Sequence, residues 1–325
     1  MIRHGFIDIQ QNGYIGVHFS SMDLTLDKVR KVTRYLVKAG TTAYCPTVVT
    51  GPMDMFRRNL PILAAAMRDK ELKPHLLGIH MEGPFISPVE GARGAHPPEY
   101  IIKPDVDTFK RFQEWAEGNV VLLTLAPEVE GAMALIRYAS ENGTVVSFGH
   151  HLADDDIMKE AVQAGARLCT HLGNGMPNMI NRHQNPLWWQ LACDDLDGIF
   201  ITDGHHLPAD FIKVALRAKT IKRFIVVSDA TEVGGLKPGI YHFQYHEVVL
   251  APNGRIGFKD TPYLAGSSAT MLECMNFLAS LNLLSEADLW KVGYDNPLRL
   301  LGRRLGHQPS GAPTVVFKNN QFVLA

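Results

Sequence analysis

Short apolar, β-branched runs alternate along this chain with stretches whose apolar residues recur every three or four positions. The runs predict eight strands, at Gly5–Gln10, Thr42–Val49, Leu76–Glu82, Val120–Pro127, Thr144–His150, Ala166–His171, Gly198–Asp203 and Arg223–Asp229. Their starts are on average about 31 residues apart, close to the roughly 30 of one βαβ unit. Between them, Thr25–Ala39 sets Leu26, Val29, Val32 and Leu36 on one helical face, with Gly40 where a helix would stop. Asp154–Ala164 opens on three aspartates, which suit a helix N-terminus, and buries Ile157, Met158, Ala161 and Val162. Pro208–Lys219 repeats the pattern with Phe211, Val214 and Ala215 inward. Strands and helices in this alternation predict a parallel sheet covered on both faces, and the count of eight favours closure into a (β/α)8 TIM-type barrel. An open doubly wound sheet would need a glycine fingerprint after the first strand, and Gln10-Gln11-Asn12-Gly13 is not one.

After Asp229 the pattern changes. Gly239–Leu250 and Arg255–Phe258 flank Pro252-Asn253-Gly254, a hairpin signal. Two helices are expected at Ser268–Leu281 and Ser285–Val292, then two short strands in Thr314–Leu324 turning at Asn319-Asn320. The expected organisation is one barrel unit over residues 1–302 with a β-hairpin insertion at about 239–265, then a short C-terminal β segment over 303–325.

Composition narrows the function. Hydrophobic residues are 46% of 325, enough for one large core. Lys plus Arg number 32 against 33 Asp plus Glu, a formal charge of −1 that argues against a nucleic-acid partner. Apolar runs such as Val120–Ala126 fall far short of the roughly 20 residues of a membrane span. The start of the chain leads straight into strand-like sequence, so no secretory signal is expected. Cys45, Cys169, Cys193 and Cys274 form no close pair, which places the expected protein in the reducing cytoplasm.

Strands that should be buried end in residues that are costly to bury. They close on His80-Met81-Glu82, Gly149-His150-His151, Thr170-His171, Thr202-Asp203-Gly204-His205-His206 and Ser228-Asp229. A barrel gathers such ends on one face, where active sites form, and a single metal ion would satisfy several of these groups together. His80 is expected to turn away from Glu82 and serve structure. Glu82 alone could cap a helix or pair with an arginine, and Asp229 alone could cap a loop.

Ordered motifs then point to a family. Gly5–Gly13, His80–Phe85, Gly91–Pro97, Leu125–Glu128, Thr170–Pro177, Ser228–Ala230, Leu264–Ser268 and Asn296-Pro297 resemble those of the N-acetylglucosamine-6-phosphate deacetylases of the amidohydrolase superfamily. The likeness runs from about residue 4 to residue 302, and its most specific parts are Glu82-Gly83-Pro84-Phe85 and the loop Thr170–Asn174. It implies an amidohydrolase barrel with a reduced accessory β segment. It also implies that Glu82, His150 and His171 hold a divalent metal, with Asp229 as general base and later general acid. His96 would contact the acetyl carbonyl oxygen. Asn174, the backbone at Gly175 and His206 would bind the sugar and its phosphate, with Arg182 supplied by a neighbouring subunit of a homodimer. Gln10-Gln11-Asn12 stands where many amidohydrolases carry His-x-His for a second metal. One ion per subunit is therefore expected, zinc first, with iron and manganese also accommodated.

The chain departs from the family in three places. Family members usually carry a longer segment before the first strand, so either the accessory sandwich is reduced here or the natural protein is longer. The loop Asn178–Trp189 is rich in aromatic and amide groups, and Trp188 and Trp189 are expected in core or interface, with a sugar-facing role as the alternative. Gly173 replaces an often aromatic residue, and Glu232–Gly235 departs after Asp229. These changes touch substrate recognition and leave the metal site alone. The expected reaction is metal-dependent removal of acetate from an N-acetylated amino sugar, N-acetylglucosamine 6-phosphate first. An amidohydrolase acting on another N-acyl or cyclic amide without phosphate is the alternative, and a non-catalytic sugar-binding barrel the remaining one.

Overall fold

Eight parallel strands form one sheet whose neighbours run in chain order: β1 Phe6–Gln11, β2 Thr41–Val49, β3 Ile79–Glu82, β4 Val120–Leu125, β5 Val145–Phe148, β6 Leu168–Cys169, β7 Asp197–Ile201 and β8 Phe224–Val227. This computed structural model describes residues 3–243, 246–305 and 311–325. Each strand lies inside its expected run or one residue beyond it, because a strand buried on both faces reads as a continuous apolar stretch. Between β8 and β1 the ladder is sparse. There Asp229 N–H donates to Gln10 O at 3.0 Å and Gln11 bridges Ala230, which brings the two edge strands together as a barrel seam.

The barrel interior is layered. Ile7, Ile9, Ala43, Leu122, Ile199, Ile201, Ile225 and Val227 form its apolar part. Further along the strands comes a hydrogen-bonded polar group. Thr170 Oγ1 lies 2.7 Å from Thr124 Oγ1 and 2.6 Å from Ser147 Oγ, and Thr124 Oγ1 lies 2.8 Å from His80 Nε2. His80 Nδ1 reaches Ile9 O at 3.1 Å. The expectation that His80 turns away from Glu82 fails, since residues two apart on a strand share a face. Both ring nitrogens are nevertheless engaged, which gives His80 its structural role.

Helices cover the outside. The helix α1, Leu26–Lys38, is capped by the Thr25 side chain and buries Val29, Val32 and Leu36. Next come α2 Met53–Arg68, α3 Val106–Trp115, α4 Ala132–Glu141, α5 Asp155–Gln163 and α6 Pro186–Ala192, with Asp154 capping α5 as its acidic start predicts. The helix α7, Ala209–Arg223, buries Ile212, Ala215, Leu216 and Lys219, whereas Val214 is 46% exposed. The inward stripe therefore runs through Ile212, not Val214. Thr220, at φ +56, kinks this helix where the sequence pattern ended it. Buried Lys219 donates from Nζ to Cys193 O and Leu196 O, 2.7 and 3.0 Å away.

Beyond the barrel, β9 Gly239–Phe243, β10 His246–Leu250 and β11 Ile256–Phe258 make an antiparallel sheet. The expected single run 239–250 is thus two strands, and residues 244 and 245 lie outside the described residues. The helix α8, Met271–Ser280, starts at a capping box between Thr270 and Glu273, slightly later than expected. Near the end of the chain, β12 Thr314–Lys318 and β13 Gln321–Leu324 pair through a two-residue turn at Asn319 and Asn320, both left-handed, and Arg3–His4 adds a third strand. Phe322 anchors this sheet, with its ring 5.0 Å from Phe6 and 5.1 Å from Trp290. Among the described residues, no helix is long and apolar enough to cross a membrane.

Candidate active site

The chain leaves three barrel strands through residues in the left-handed region, and each carries a chemically reactive side chain. They are His150 after β5 at φ +54, His171 after β6 at φ +31 and Asp229 after β8 at φ +50. Such a backbone costs about 1–3 kcal/mol per residue and persists only where surroundings impose it. Two glycines help impose it here. A Cβ on Gly94 would lie 2.9 Å from His150 Cε1, and one on Gly175 would lie 2.9 Å from His171 Cε1 and 3.1 Å from His150 Nδ1. Backbone therefore packs directly on the imidazoles, and both glycines adopt positive φ to reach them.

Glu82, His150 and His171 converge as a buried cluster able to hold a metal ion. Glu82 Oε1 lies 3.1 Å from His150 Nε2 and 3.0 Å from His171 Nε2, and the two nitrogens are 3.0 Å apart. Ligand atoms bound at about 2.0–2.2 Å to one cation lie about 3–3.5 Å from each other, so the spacing fits. The outer hydrogen bonds fit as well. His150 Nδ1 meets Ala92 O at 2.9 Å, which leaves the Nε2 lone pair facing the cluster, and Gln10 Nε2 donates to Glu82 Oε2 at 3.0 Å. Burial opposes the charge on Glu82, but its contacts with the His150 and His171 imidazoles hold its carboxyl well below the usual range. One carboxylate and two imidazoles make a donor set for a borderline divalent cation.

Two further groups face this cluster. Burial, then the nearby charge of Glu82, raises the Asp229 carboxyl to about 8, while Asn12 Nδ2 donates to its Oδ1 at 2.7 Å. Positive charge placed beside Glu82 would lower it again. His96 Nε2 sits 3.2 Å from His150 Nε2, and its Nδ1 meets Thr50 Oγ1 at 2.9 Å. Burial and the neighbouring His150 push the His96 imidazole down to about 3, so it is neutral near pH 7.

Glu82, His150, His171, Asp229, Asn12 and His96 line one cavity of about 950 Å³, together with Asn174, Gly175 and His206. Among the described residues Asn174 Nδ2 has no hydrogen-bond partner, and His206 Nδ1 is held by Asp203 at 2.7 Å. Although burial opposes its charge, Asp203 is brought down to about 2 by His206. Arg182 and Trp188, the latter 51% exposed, are exposed and absent from this lining, and half-buried Trp189, packed against the core as expected, is absent from it too. Sequence reasoning missed the parts that hold the cluster in place: Gln10, Asn12, Thr50 and the Ala92 carbonyl. The glutamine and asparagine stood in view as the replacement for His-x-His, which was the one available signal. It missed too that the hairpin region reaches the cavity through Phe258, Pro262 and Tyr263. The Phe211 ring lies 2.8 Å from where a Gly173 Cβ would sit, so a side chain from α7 fills the space next to the glycine.

No family model matches the sequence. The N-acetylglucosamine-6-phosphate deacetylase of Bacillus subtilis is 33% identical over 301 residues, 92% of this chain and 74% of that protein. The human enzyme of the same name is 34% identical over 317 residues, 93% of this chain and 75% of its own length. Among solved structures, N-acetyl-D-glucosamine-6-phosphate deacetylase from Mycobacterium smegmatis superposes with a TM-score of 0.88 at 26% identity, covering 100% of this chain and 85% of that one. A mutant of that enzyme is known in complex with N-acetyl-D-glucosamine-6-phosphate. With relatives this similar over most of both lengths, the chain belongs to the N-acetylglucosamine-6-phosphate deacetylase family.

Proposed function

We propose that this protein hydrolyses the acetamide of N-acetylglucosamine 6-phosphate to acetate and glucosamine 6-phosphate. The observation that carries the reading is the meeting of Glu82, His150 and His171 in the cavity that Asp229 also faces. Those three residues would hold a single divalent cation, zinc first, with iron and manganese accommodated by the same donors. When bound, such an ion polarises a carbonyl oxygen and acidifies water. Asp229, oriented by Asn12, takes the proton of the attacking water and delivers it to the amide nitrogen, because an unprotonated amine is a very poor leaving group. His96 points an Nε2–H inward, since Thr50 can donate to its Nδ1 and the ring is neutral. That N–H suits the acetyl oxygen as it gains charge. Asn174, the Gly175 backbone and His206 would bind sugar and phosphate. Arg182 would come from a neighbouring subunit in a homodimer, working in the cytoplasm.

The same reading treats residues 1–302 as one catalytic unit with its hairpin insertion, and 303–325 as a short terminal β segment. A chelator-treated sample, assayed with and without restored zinc, iron or manganese, tests the chemistry. Acetate release from N-acetylglucosamine 6-phosphate should vanish on treatment and return with metal, and should exceed that from the unphosphorylated sugar. No release by metal-restored protein would overturn the reading.

A further inference from the structure

Asp8 lies outside the cavity lining, yet its carboxylate ties together two strands that end in the site. It is 0% exposed. Oδ1 accepts from Gln10 N–H at 3.1 Å and from Ser228 N–H at 3.3 Å, and Oδ2 accepts from the Ser228 hydroxyl. Two local irregularities explain why a carboxylate stands here. The β1–β2 register shifts between Asp8 and Gln11, a bulge that frees the Gln10 amide from the ladder and coincides with its side chain reaching Glu82. The β8–β1 seam carries few backbone bonds, so the run Ser228-Asp229-Ala230 needs other anchors for a left-handed Asp229.

Most of those anchors trace back to β1 and the residue after it, while Ser267 N–H adds one more, to Asp229 O at 3.2 Å. Ser228 Oγ accepts from Ala230 N–H at 3.1 Å, and Ala230 O accepts from Asn12 N–H at 2.9 Å. Asp8 thus holds the residue before the proposed base and, through Ser228, the residue after it. We propose that Asp8, acting through Ser228, is a positioning residue: it fixes the backbone of Asp229 and the bulge that presents Gln10 to Glu82. This rests on the deacetylase reading with Asp229 as base. Loss of the pair should therefore cost turnover, while substrate binding through Asn174 and His206 is left in place.

The test compares wild type with Asp8→Ala, Asp8→Asn and Ser228→Ala, each metal-loaded and checked for metal content. Acetate release by wild type tests the underlying reading separately. Asp8→Ala should lower kcat about 10- to 100-fold, the cost of losing the groups that orient a site's residues, with KM unchanged. Asp8→Asn keeps one acceptor oxygen and should recover most of that loss. Ser228→Ala should fall in kcat by about tenfold, and it carries the test if Asp8→Ala does not fold. Wild-type kcat in Ser228→Ala, or losses confined to KM, would overturn the proposal in an active enzyme.

Discussion

His80 illustrates how a single residue can look functional and be structural. Its Nδ1 faces Ile9 O and its Nε2 faces Thr124, whose hydroxyl continues to Thr170 and Ser147. Burial keeps this ring neutral near pH 7 by pushing the imidazole down to about 4 from 6.5. Because the folded pKa is depressed, the unfolded chain binds more protons between those values, and stability is lost as pH falls from about 6.5 to about 4. Complete titration of the shift is worth on the order of 3 kcal/mol. His80→Gln can keep the bond to Ile9 without titrating. Thermal denaturation at pH 7.5 and pH 4.5 should therefore show the variant losing less stability than wild type. A wild-type-to-variant difference constant with pH would rule this out. The sequence placed histidines at strand ends correctly, but partners such as Ile9 O are backbone atoms of distant residues, invisible to any local pattern.

At the scale of elements, the strands were legible because each is an apolar run bounded by turns, and helix caps at Thr25, Asp154 and Ser285 follow simple side-chain rules. Their exits were not legible. The positive φ at His150, His171 and Asp229 cannot be read from residue type: His and Asp visit that region more than most, but only a small minority of them do, and tertiary contacts impose it here. The run 239–250 reads as one strand because no glycine or proline interrupts it after Gly239. Glycines record the exits more faithfully. Gly175→Ala adds a Cβ in a left-handed backbone against both imidazoles, so His150 and His171 must move. Metal affinity should fall about 10- to 100-fold, read by competition with a chromogenic chelator. Unchanged affinity would show that the loop yields and the ligands stay.

Across the whole molecule, the cavity is bordered by elements from distant parts of the chain, including the hairpin region and the loop carrying Arg182. Met179, 89% exposed, lies on that loop, and exposed Trp188, in the first turn of α6 just after it, donates from Nε1 to Arg182 O at 3.1 Å. Exposed apolar groups beside a cavity edge suit contact with another subunit, and in a twofold dimer each site would receive the other subunit's arginine. This predicts a complementation. Arg182→Ala alone should bind the phosphorylated sugar poorly, and Asp229→Asn alone should not turn over. In a mixed dimer, the site that keeps Asp229 receives Arg182 from the Asp229→Asn subunit and is whole. Random reassociation of equal amounts should therefore restore about a quarter of wild-type acetate release at a substrate level where both parents are nearly silent. If Arg182 instead serves its own site, both sites of every mixed dimer remain defective, and the mixture will do no better than the sum of its parents.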